Sequence, residues 1–351
     1  MKQIKLNYLF IALALVTILA SCHKDKVNPV IDTPTAQRAG LYVLNQGGFG
    51  INNSTLTYYD YTTKLLVPDQ FTAANTTKLG DTGNDLGIYG AKMFIVVNNS
   101  NLVTIVNAKT AKLIKSITLT QPRSVTFYKS NAFVTSYNGT VSVIDTTSLT
   151  ITKTITVGSD PEQMVVANGK LYVANSGGLD PTPGTTLSVI DLTTLTETKK
   201  ITVIADPVSV TTDTYDNVYV LSLGNFFDVP AGMTVIDDKT DLVKSKPTVN
   251  LGFNVPIFVL GDFVYYPTAD NKIAVYNAKT QTASSANFIT DGTVITAPYA
   301  ISGDPLTGEI FVTDAKDYSS NGTLTAFDKT GKKEYSIVVG ISPGKIVLVN
   351  K

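Results

Sequence analysis

A short two-strand pattern returns seven times between residue 40 and the C-terminus, and this repeat limits the fold more than any other feature. Each copy has an aromatic residue in an apolar run, then a loop, then an alternating segment that ends in Asp or Asn. The aromatic residues are Tyr42, Phe94, Phe133, Tyr172, Tyr219, Phe263 and Phe311, and the closing residues are Asp60, Asn107, Asp145, Asp191, Asp237, Asn277 and Asp328. A period of roughly 40–50 residues is typical of the blades of a β-propeller.

Two further strands complete each repeat. The closing residue begins a tight turn, as at 191–194, because an Asp or Asn side chain accepts a backbone N–H two residues on. A third segment such as 152–157 follows, then a proline that suits a strand start, then a short apolar strand such as 163–167. We find no helical periodicity of useful length, so the pattern predicts four-stranded antiparallel blades and an all-β fold.

The two ends of the chain carry matching half-repeats. The first copy begins at its second strand, at 40–44, and the chain ends with an extra strand at 344–350, after Pro343. We therefore predict a seven-bladed β-propeller in which the C-terminal strand joins the first blade and closes the ring, which removes open sheet edges. The alternative, a linear solenoid, needs capping repeats and leaves the half-repeats unexplained.

The N-terminus indicates export. A short basic start precedes an apolar run at 9–20, which is too short to span a bilayer and is typical of a signal peptide. Small residues precede Cys22, the only cysteine, and this stretch resembles a bacterial lipobox, which implies lipidation of the Cys22 thiol; an ordinary signal with an incidental cysteine is the alternative. The expected organisation is a signal peptide at 1–21, a lipidated Cys22 and flexible tether at 22–39, and one propeller domain at 40–351.

The segment 171–176, Leu-Tyr-Val-Ala-Asn-Ser, with Ser-Val-Ile-Asp at 188–191, resembles the YVTN-type propeller repeat. With the lipidation motif, the whole chain resembles the YncE-like surface lipoproteins of Bacteroidota. The resemblance implies an outer-membrane lipoprotein exposed at the cell surface, with a periplasmic orientation as the alternative. One type in this group, the BtuG type, captures cobalamin and passes it to a TonB-dependent receptor. The implied partners are thus a cobalamin-like ligand, such a receptor, and the membrane through the lipid alone.

Composition argues against several other functions. Lys+Arg and Asp+Glu both number 28 and no long basic run occurs, so we expect no nucleic-acid partner. The only His, His23, lies in the tether beside Cys22, so we expect no catalytic His or Cys, no metal site of that kind and no cofactor in the propeller. A lactonase-like hydrolase that uses carboxylates and a divalent ion stays a minor alternative. Asp81 and Asp85 could bind a cation, but an inter-blade loop explains them better.

Long loops point to a ligand-binding face. In a propeller, the loops between the second and third strands and those between blades emerge on one face around the central channel. Here they carry aromatic and amide groups that suit a large, mostly uncharged ligand. The predicted ligand-binding residues are Phe49, Arg123, Tyr137, Asn138, Gln163, Asn175, Phe226, Phe227, Tyr299 and Tyr318. We therefore expect a ligand-capturing envelope protein, with a protein- or glycan-binding adhesion module as the alternative.

Overall fold

Seven four-stranded antiparallel sheets make up the protein, in a computed structural model that describes residues 37–178 and 180–351. The predicted signal peptide, Cys22 and most of the tether lie outside the described residues. Residues 37–351 form one compact unit. Within the described part of the chain, no helix is long and apolar enough to cross a membrane.

The strands follow the chain in blade order, and each blade is given from the central axis outward. Blade 1 contains β28 (Pro343–Asn350), β1 (Arg38–Asn45), β2 (Thr55–Asp60) and β3 (Leu66–Val67). Blade 2 contains β4 (Gly83–Tyr89), β5 (Lys92–Val97), β6 (Leu102–Asn107) and β7 (Leu113–Thr118), and blade 3 contains β8 (Pro122–Tyr128), β9 (Asn131–Ser136), β10 (Thr140–Asp145) and β11 (Thr150–Thr156). Blade 4 contains β12 (Pro161–Ala167), β13 (Lys170–Asn175), β14 (Thr186–Asp191) and β15 (Thr196–Thr202), and blade 5 contains β16 (Pro207–Thr212), β17 (Asn217–Ser222), β18 (Gly232–Asp237) and β19 (Leu242–Ser245). Blade 6 contains β20 (Phe258–Leu260), β21 (Phe263–Pro267), β22 (Ile273–Asn277) and β23 (Thr282–Ser285), and blade 7 contains β24 (Pro298–Gly303), β25 (Ile310–Asp314), β26 (Thr323–Phe327) and β27 (Lys333–Val338).

The C-terminal strand closes the ring, as the half-repeats predict. Strand β28 pairs antiparallel with β1, with Val43 opposite Ile346 and Leu41 opposite Leu348. An ion pair between Arg38 in blade 1 and Asp304 in blade 7 adds a side-chain link across the same junction, with Nη2 and Oδ1 2.8 Å apart. The inner strands of the blades therefore surround one axis, and the predicted fold is confirmed.

The core lies between neighbouring blades, because each sheet alternates apolar residues on both faces and shelters neither face alone. Between blades 4 and 5, for example, Tyr172 and Leu187 pack against Val210 and Val220. The repeat aromatic residue is fully buried in six blades, at Tyr42, Phe94, Phe133, Tyr172, Tyr219 and Phe311.

The sixth copy of the repeat was aligned wrongly from sequence by two residues. Phe263 pairs with the closing residue Asn277 and is 36% exposed. The equivalent of the other aromatic residues is Tyr265, which lies opposite Val275 and is buried. Both positions point to the same side of a strand, so the sequence period does not separate them.

The closing residues make the predicted turns. In blade 4, the Asp191 carboxylate accepts the backbone N–H groups of Thr193 and Thr194, both at 2.8 Å. These bonds, first from Thr194 and then from Thr193, hold the pKa of Asp191 below its ordinary value. The same side-chain acceptor occurs at Asp60, Asn107, Asp145, Asp237, Asn277 and Asp328.

One short helix, α1 (Gln70–Asn75), interrupts the long connection between blades 1 and 2. The Asp69 side chain caps it by accepting the Thr72 N–H at 3.2 Å, and Phe71 is buried beneath it. The sequence pattern did not indicate this single turn, because one capped turn is too short to show a period.

Candidate functional site

The loops between second and third strands lie on the same face as the blade-to-blade connections, as predicted. In blade 1, the Gln46 N–H donates to the carbonyl of Ser342, just before β28, at 2.9 Å. The equivalent bond recurs as Asn98 to Thr82, Tyr137 to Gln121, Ser176 to Asp160, Leu223 to Asp206, and Ala315 to Ala297. This repeated bond ties the loop to the start of an inner strand in six of the seven blades, and blade 6 departs from the pattern. The side chains that follow the bond are thereby held around the axis.

The central channel opens on this face in a cavity of about 300 Å³, which we call the mouth. All seven blades contribute at or beside the start of their inner strand. The contributing residues, from blade 1 to blade 7, are Gly344, Asn84, Arg123, Glu162, Val208, Pro256 and Tyr299. A second cavity of about 350 Å³ continues below and shares Gln163, Pro256 and Gly344 with the mouth. The mouth is therefore the loop-side end of the propeller channel.

An ion pair across two blades forms the floor of the mouth. Arg123 in blade 3 donates to both carboxylate oxygens of Glu162 in blade 4, from Nε at 3.1 Å and from Nη2 at 2.9 Å. Arg123 Nη1 donates to Asn84 Oδ1 at 2.7 Å, and the Tyr137 ring lies 4.5 Å from the guanidinium carbon. The Tyr137 hydroxyl also donates to Glu162. The bidentate pair and the ring fix the guanidinium in one orientation.

The floor keeps its charges although it is largely enclosed. Burial opposes the charge on Arg123, but the Glu162 carboxylate outweighs burial and raises the pKa of Arg123. Burial first, and then Glu162, also raises the pKa of Tyr137, so its hydroxyl stays a neutral donor. A ligand in the mouth thus meets a paired, rigid floor rather than a free cation.

Two amide groups in the mouth keep unused donors. The Tyr299 hydroxyl donates to Gln46 Oε1, and the Val210 N–H donates weakly to Gln163 Oε1 at 3.4 Å. Among the described residues, neither Gln46 Nε2 nor Gln163 Nε2 has a hydrogen-bond partner. An amide nitrogen carries two donor hydrogens, so both side chains can donate to a ligand.

Aromatic rings form one side of the rim. The Phe226 and Phe253 ring centres are 6.5 Å apart, and Phe253 also lines the mouth. Tyr299, inside the mouth, contacts the Tyr318 ring at 5.9 Å between centres. Asn254 lies between the two ring pairs and donates from Nδ2 to the Tyr318 hydroxyl at 2.7 Å. The exposed ring faces are suited to stacking against a flat or apolar ligand surface.

An additional carboxyl group lies close to the floor. Asp206 precedes the inner strand of blade 5, and its Oδ1 is buried without a hydrogen-bond partner among the described residues. Burial, and after it the Glu162 carboxylate, raises the pKa of Asp206 to about 6. At neutral pH this side of the mouth therefore carries more negative than positive charge.

The structure brings together only part of the predicted binding set. Arg123, Gln163 and Tyr299 line the mouth, Tyr137 lies against its floor, and Tyr318 and Phe226 lie on its rim. Phe49, Asn138 and Phe227 are exposed on loops of the same face and do not line the mouth.

Asn175 has a different environment. It is buried and links strands within blade 4, where Nδ2 donates to the hydroxyls of Thr186 at 3.0 Å and Ser188 at 2.9 Å. Asn45 makes the equivalent bonds in blade 1. Asn175 therefore holds strands together within its blade and does not line the mouth.

Sequence reasoning missed Glu162, Phe253 and Asn254. Glu162 follows Pro161 as Arg123 follows Pro122, so the repeat alignment contained the signal that would have found it. Phe253 and Asn254 lie in the irregular link between blades 5 and 6, where no repeat position identifies them.

The carboxylates of the 81–85 segment are used within the protein. Asp81 accepts the Gly50 N–H and the Asn99 side chain, while Asp85 accepts the Ser124 hydroxyl and pairs with Lys345 at 2.8 Å. Asp85 lies in the lower channel cavity. Among residues 37–178 and 180–351, no group of three or more His, Cys, Asp or Glu side chains could hold a metal ion.

A family model described as "Domain of unknown function (DUF5074)" matches residues 39–340, so the chain belongs to this family. No curated protein matches the sequence. Similar solved structures include a quinonprotein alcohol dehydrogenase-like protein from Bacteroides thetaiotaomicron, at 17% identity and a TM-score of 0.64, covering 89% of this chain and 78% of that one. A hypothetical selenium-binding protein from Sulfolobus tokodaii has 12% identity and a TM-score of 0.66, covering 89% of this chain and 93% of that one. At such identities the likeness shows the fold alone.

Proposed function

We propose that this DUF5074 propeller is an envelope protein, anchored through a lipid on Cys22, that captures an organic ligand at the mouth and its rim. One observation carries the proposal. All seven blades converge on a cavity of about 300 Å³ whose charged floor is already paired while amide donors stay free. A preformed concave site with a few placed polar groups is typical of ligand-binding proteins.

The mouth favours a neutral ligand that carries hydrogen-bond acceptors and one flat face. Arg123 is neutralised by Glu162, and Asp206 adds negative charge, so an anion gains little. The free amide nitrogens of Gln46 and Gln163 donate to carbonyl or hydroxyl oxygens, while Phe253 offers a ring face. Because the floor is held by its own bonds, little ordering entropy is lost on binding.

Cobalamin is the ligand to test first, and a TonB-dependent outer-membrane receptor is the partner proposed to accept it. The resemblance to YncE-like surface lipoproteins supports this choice. A corrin ring is flat and bears amide side chains, which match the ring faces of the rim and the free amide donors of the mouth. The mouth takes one edge of so large a molecule, and the rim contacts the remainder.

Titration calorimetry on the folded protein without its signal peptide tests this ligand. We expect a dissociation constant on the order of 10⁻⁹ M, and a loss of about tenfold or more for Phe253→Ala and Gln163→Ala. Leu306→Ala, an exposed apolar residue in the β24–β25 connection of the opposite face, is the control and leaves affinity unchanged. Absence of binding by the wild-type protein removes cobalamin from the proposal.

A thermal-shift panel of neutral ring molecules tests the mouth itself. Ligands of the mouth raise the melting temperature of the wild-type protein and of Leu306→Ala, and raise it less for Gln163→Ala. If no compound separates these variants, the mouth is not the binding site.

The proposal is of binding rather than catalysis. The chain's one His and one Cys, at 23 and 22, lie outside the described residues, and the described lining of the mouth contains neither residue type. For the anchor, Cys22→Ala is expected to move the protein from the membrane fraction to the soluble fraction, and radiolabelled fatty acid incorporation measures the lipid directly.

A second candidate, protein docking by the same face, is favoured by one loop. Asn225 Oδ1 accepts the N–H groups of Phe227, Asp228 and Val229, and the resulting turn holds Phe227 96% exposed. A fixed, exposed aromatic side chain is a common anchor at protein interfaces. Loss of a cross-linked envelope partner in Phe227→Ala, with ligand binding retained, would favour docking.

A further inference from the structure

Blade 6 borders a second cavity, apart from the mouth, that the proposed function does not use. It holds about 390 Å³ between residues 283–286 of the outer edge, the side chains of Tyr266 and Ala274, and the segment 248–250. The cavity lies where the repeat is irregular. Strand β19 ends at Ser245 and β20 begins only at Phe258, whereas 203–206 suffice to link β15 to β16.

Tyr266 places an unused hydroxyl in this cavity. The residue is 5% exposed and lines the cavity, and its hydroxyl has no hydrogen-bond partner among the described residues. Burial, and then Tyr276, raises the pKa of Tyr266, so the group stays protonated and can donate. The hydroxyl faces the open cavity, so an acceptor that enters can replace water as its hydrogen-bond partner.

The strand beside the cavity differs from the other outer strands. The other outer strands of four or more residues each carry lysine: Lys115 in β7, Lys153 in β11, Lys199 and Lys200 in β15, Lys244 in β19, and Lys333 in β27. Lysine on an edge strand prevents another chain from pairing with it. Strand β23 has the sequence Thr-Ala-Ser-Ser, is exposed along its length and has no charged residue. Among the described outer strands of four or more residues, β23 alone lacks this protection.

We propose that an extended segment of a partner protein pairs with the free edge of β23, with one of its side chains entering the Tyr266 cavity. A polypeptide is the occupant because the β23 edge offers backbone N–H and C=O groups, which a strand satisfies along its length. The two charged residues in the lining, Asp270 and Lys272, pair with each other at 2.7 Å. The inserted side chain is therefore uncharged and carries an acceptor, as Asn, Gln, Ser and Thr do.

A displayed library of extended octapeptides, selected on the full propeller, tests the proposal. We expect enriched peptides with alternating side chains and Asn, Gln, Ser or Thr at one position, and fluorescence anisotropy measures their affinity. Ser284→Lys places a lysine on the exposed β23 edge and is expected to weaken binding about tenfold or more. Ser116→Lys, the same change on the exposed strand β7, is the matched control and leaves binding unchanged.

Tyr266→Phe separates the cavity from the edge, since it removes the hydroxyl and keeps the ring. We expect the selected position to lose its preference for acceptor side chains while the peptides still pair with β23. Thermal melting shows that each variant is folded. The proposal is overturned if no peptides are enriched on the wild-type propeller over the Ser284→Lys variant, or if Ser284→Lys binds the selected peptides as tightly as wild type. It is also overturned if Ser116→Lys weakens peptide binding as much as Ser284→Lys does. We expect the affinity for ligands of the mouth to be unchanged in all three variants, so a negative result for peptide binding does not contradict the proposed function.

Discussion

Arg38→Met removes the side-chain link at the point where the propeller ring closes. In the wild-type protein, Arg38 Nε and Nη2 donate to Asp304 Oδ2 and Oδ1 at 2.9 and 2.8 Å. Arg38 opens β1 in blade 1, and Asp304 follows β24 in blade 7, so the pair joins the two blades that meet at the ends of the chain. Methionine keeps much of the apolar stem and removes only the charged donors.

The size of the effect follows from the burial of Asp304. Its carboxylate is fully buried and would remain charged without a counter-ion, and breaking such a pair costs about 3–5 kcal/mol. One hydrogen bond remains, from the Leu306 N–H at 2.9 Å, and the Arg38 side chain is 16% exposed. We therefore expect a loss of about 3 kcal/mol of unfolding free energy at pH 7.

The loss depends on pH. Burial raises the pKa of Asp304, but the hydrogen bonds and charge of Arg38 outweigh burial and hold it below its ordinary value. This contribution to stability is present above the unfolded pKa of about 3.9 and is lost as the pH falls through the lowered value. In Arg38→Met the pKa of Asp304 rises, so the difference from wild type is complete at pH 7 and narrows under acid conditions.

Urea unfolding followed by circular dichroism measures the change. Lys272→Met is the control, because it breaks an ion pair of similar length, 2.7 Å between Lys272 and Asp270, in which both side chains are half exposed. We expect no measurable change in the control and partial recovery in Arg38→Met/Asp304→Asn. Equal midpoints for Arg38→Met and Lys272→Met would refute the reasoning.

Three further substitutions have defined outcomes. Asp206→Asn is expected to raise stability by about 1 kcal/mol at pH 8, because the raised pKa of Asp206 makes its ionised form costly above pH 6. Urea midpoints at pH 8 and pH 5 measure the gain in stability, and an equal gain at the two pH values would contradict this prediction. Gly331→Ala places a Cβ 1.8 Å from the Phe288 carbonyl oxygen and is expected to lower stability by about 2 kcal/mol or more. The control Gly261→Ala, also at positive φ but in open space, is expected to cost about 1 kcal/mol, and similar melting temperatures for the two variants would count against the contact. Asn175→Ala leaves buried strand groups unpaired and is expected to lower the free energy of unfolding by about 2 kcal/mol without changing ligand affinity. Thermal melting and calorimetry measure the two quantities, and a loss of affinity without a loss of stability would show that Asn175 binds the ligand.

The candidate site could be predicted only where it follows the repeat. Arg123, Gln163 and Tyr299 come just after the proline that starts an inner strand, and they reach the mouth. Glu162 occupies the same repeat position as Arg123 and could have been identified with them. Phe253 lies in the irregular link 246–257, where the sequence carries neither a strand period nor a turn motif, so only its position in three dimensions shows its role.

The sequence by itself determined the blades, their turns and the closure of the ring. These features depend on contacts within one repeat or between the matching half-repeats at the two ends of the chain. The alternation of side chains with a period of two residues indicates which side of a strand is buried. The tertiary structure decided which side chains meet across the axis. Arg123 and Glu162 are 39 positions apart, and their pairing depends on the radius of the ring and on how neighbouring blades pack. The same holds for the Tyr266 cavity, because it exists only where the segment 248–250 lies beside the edge of blade 6.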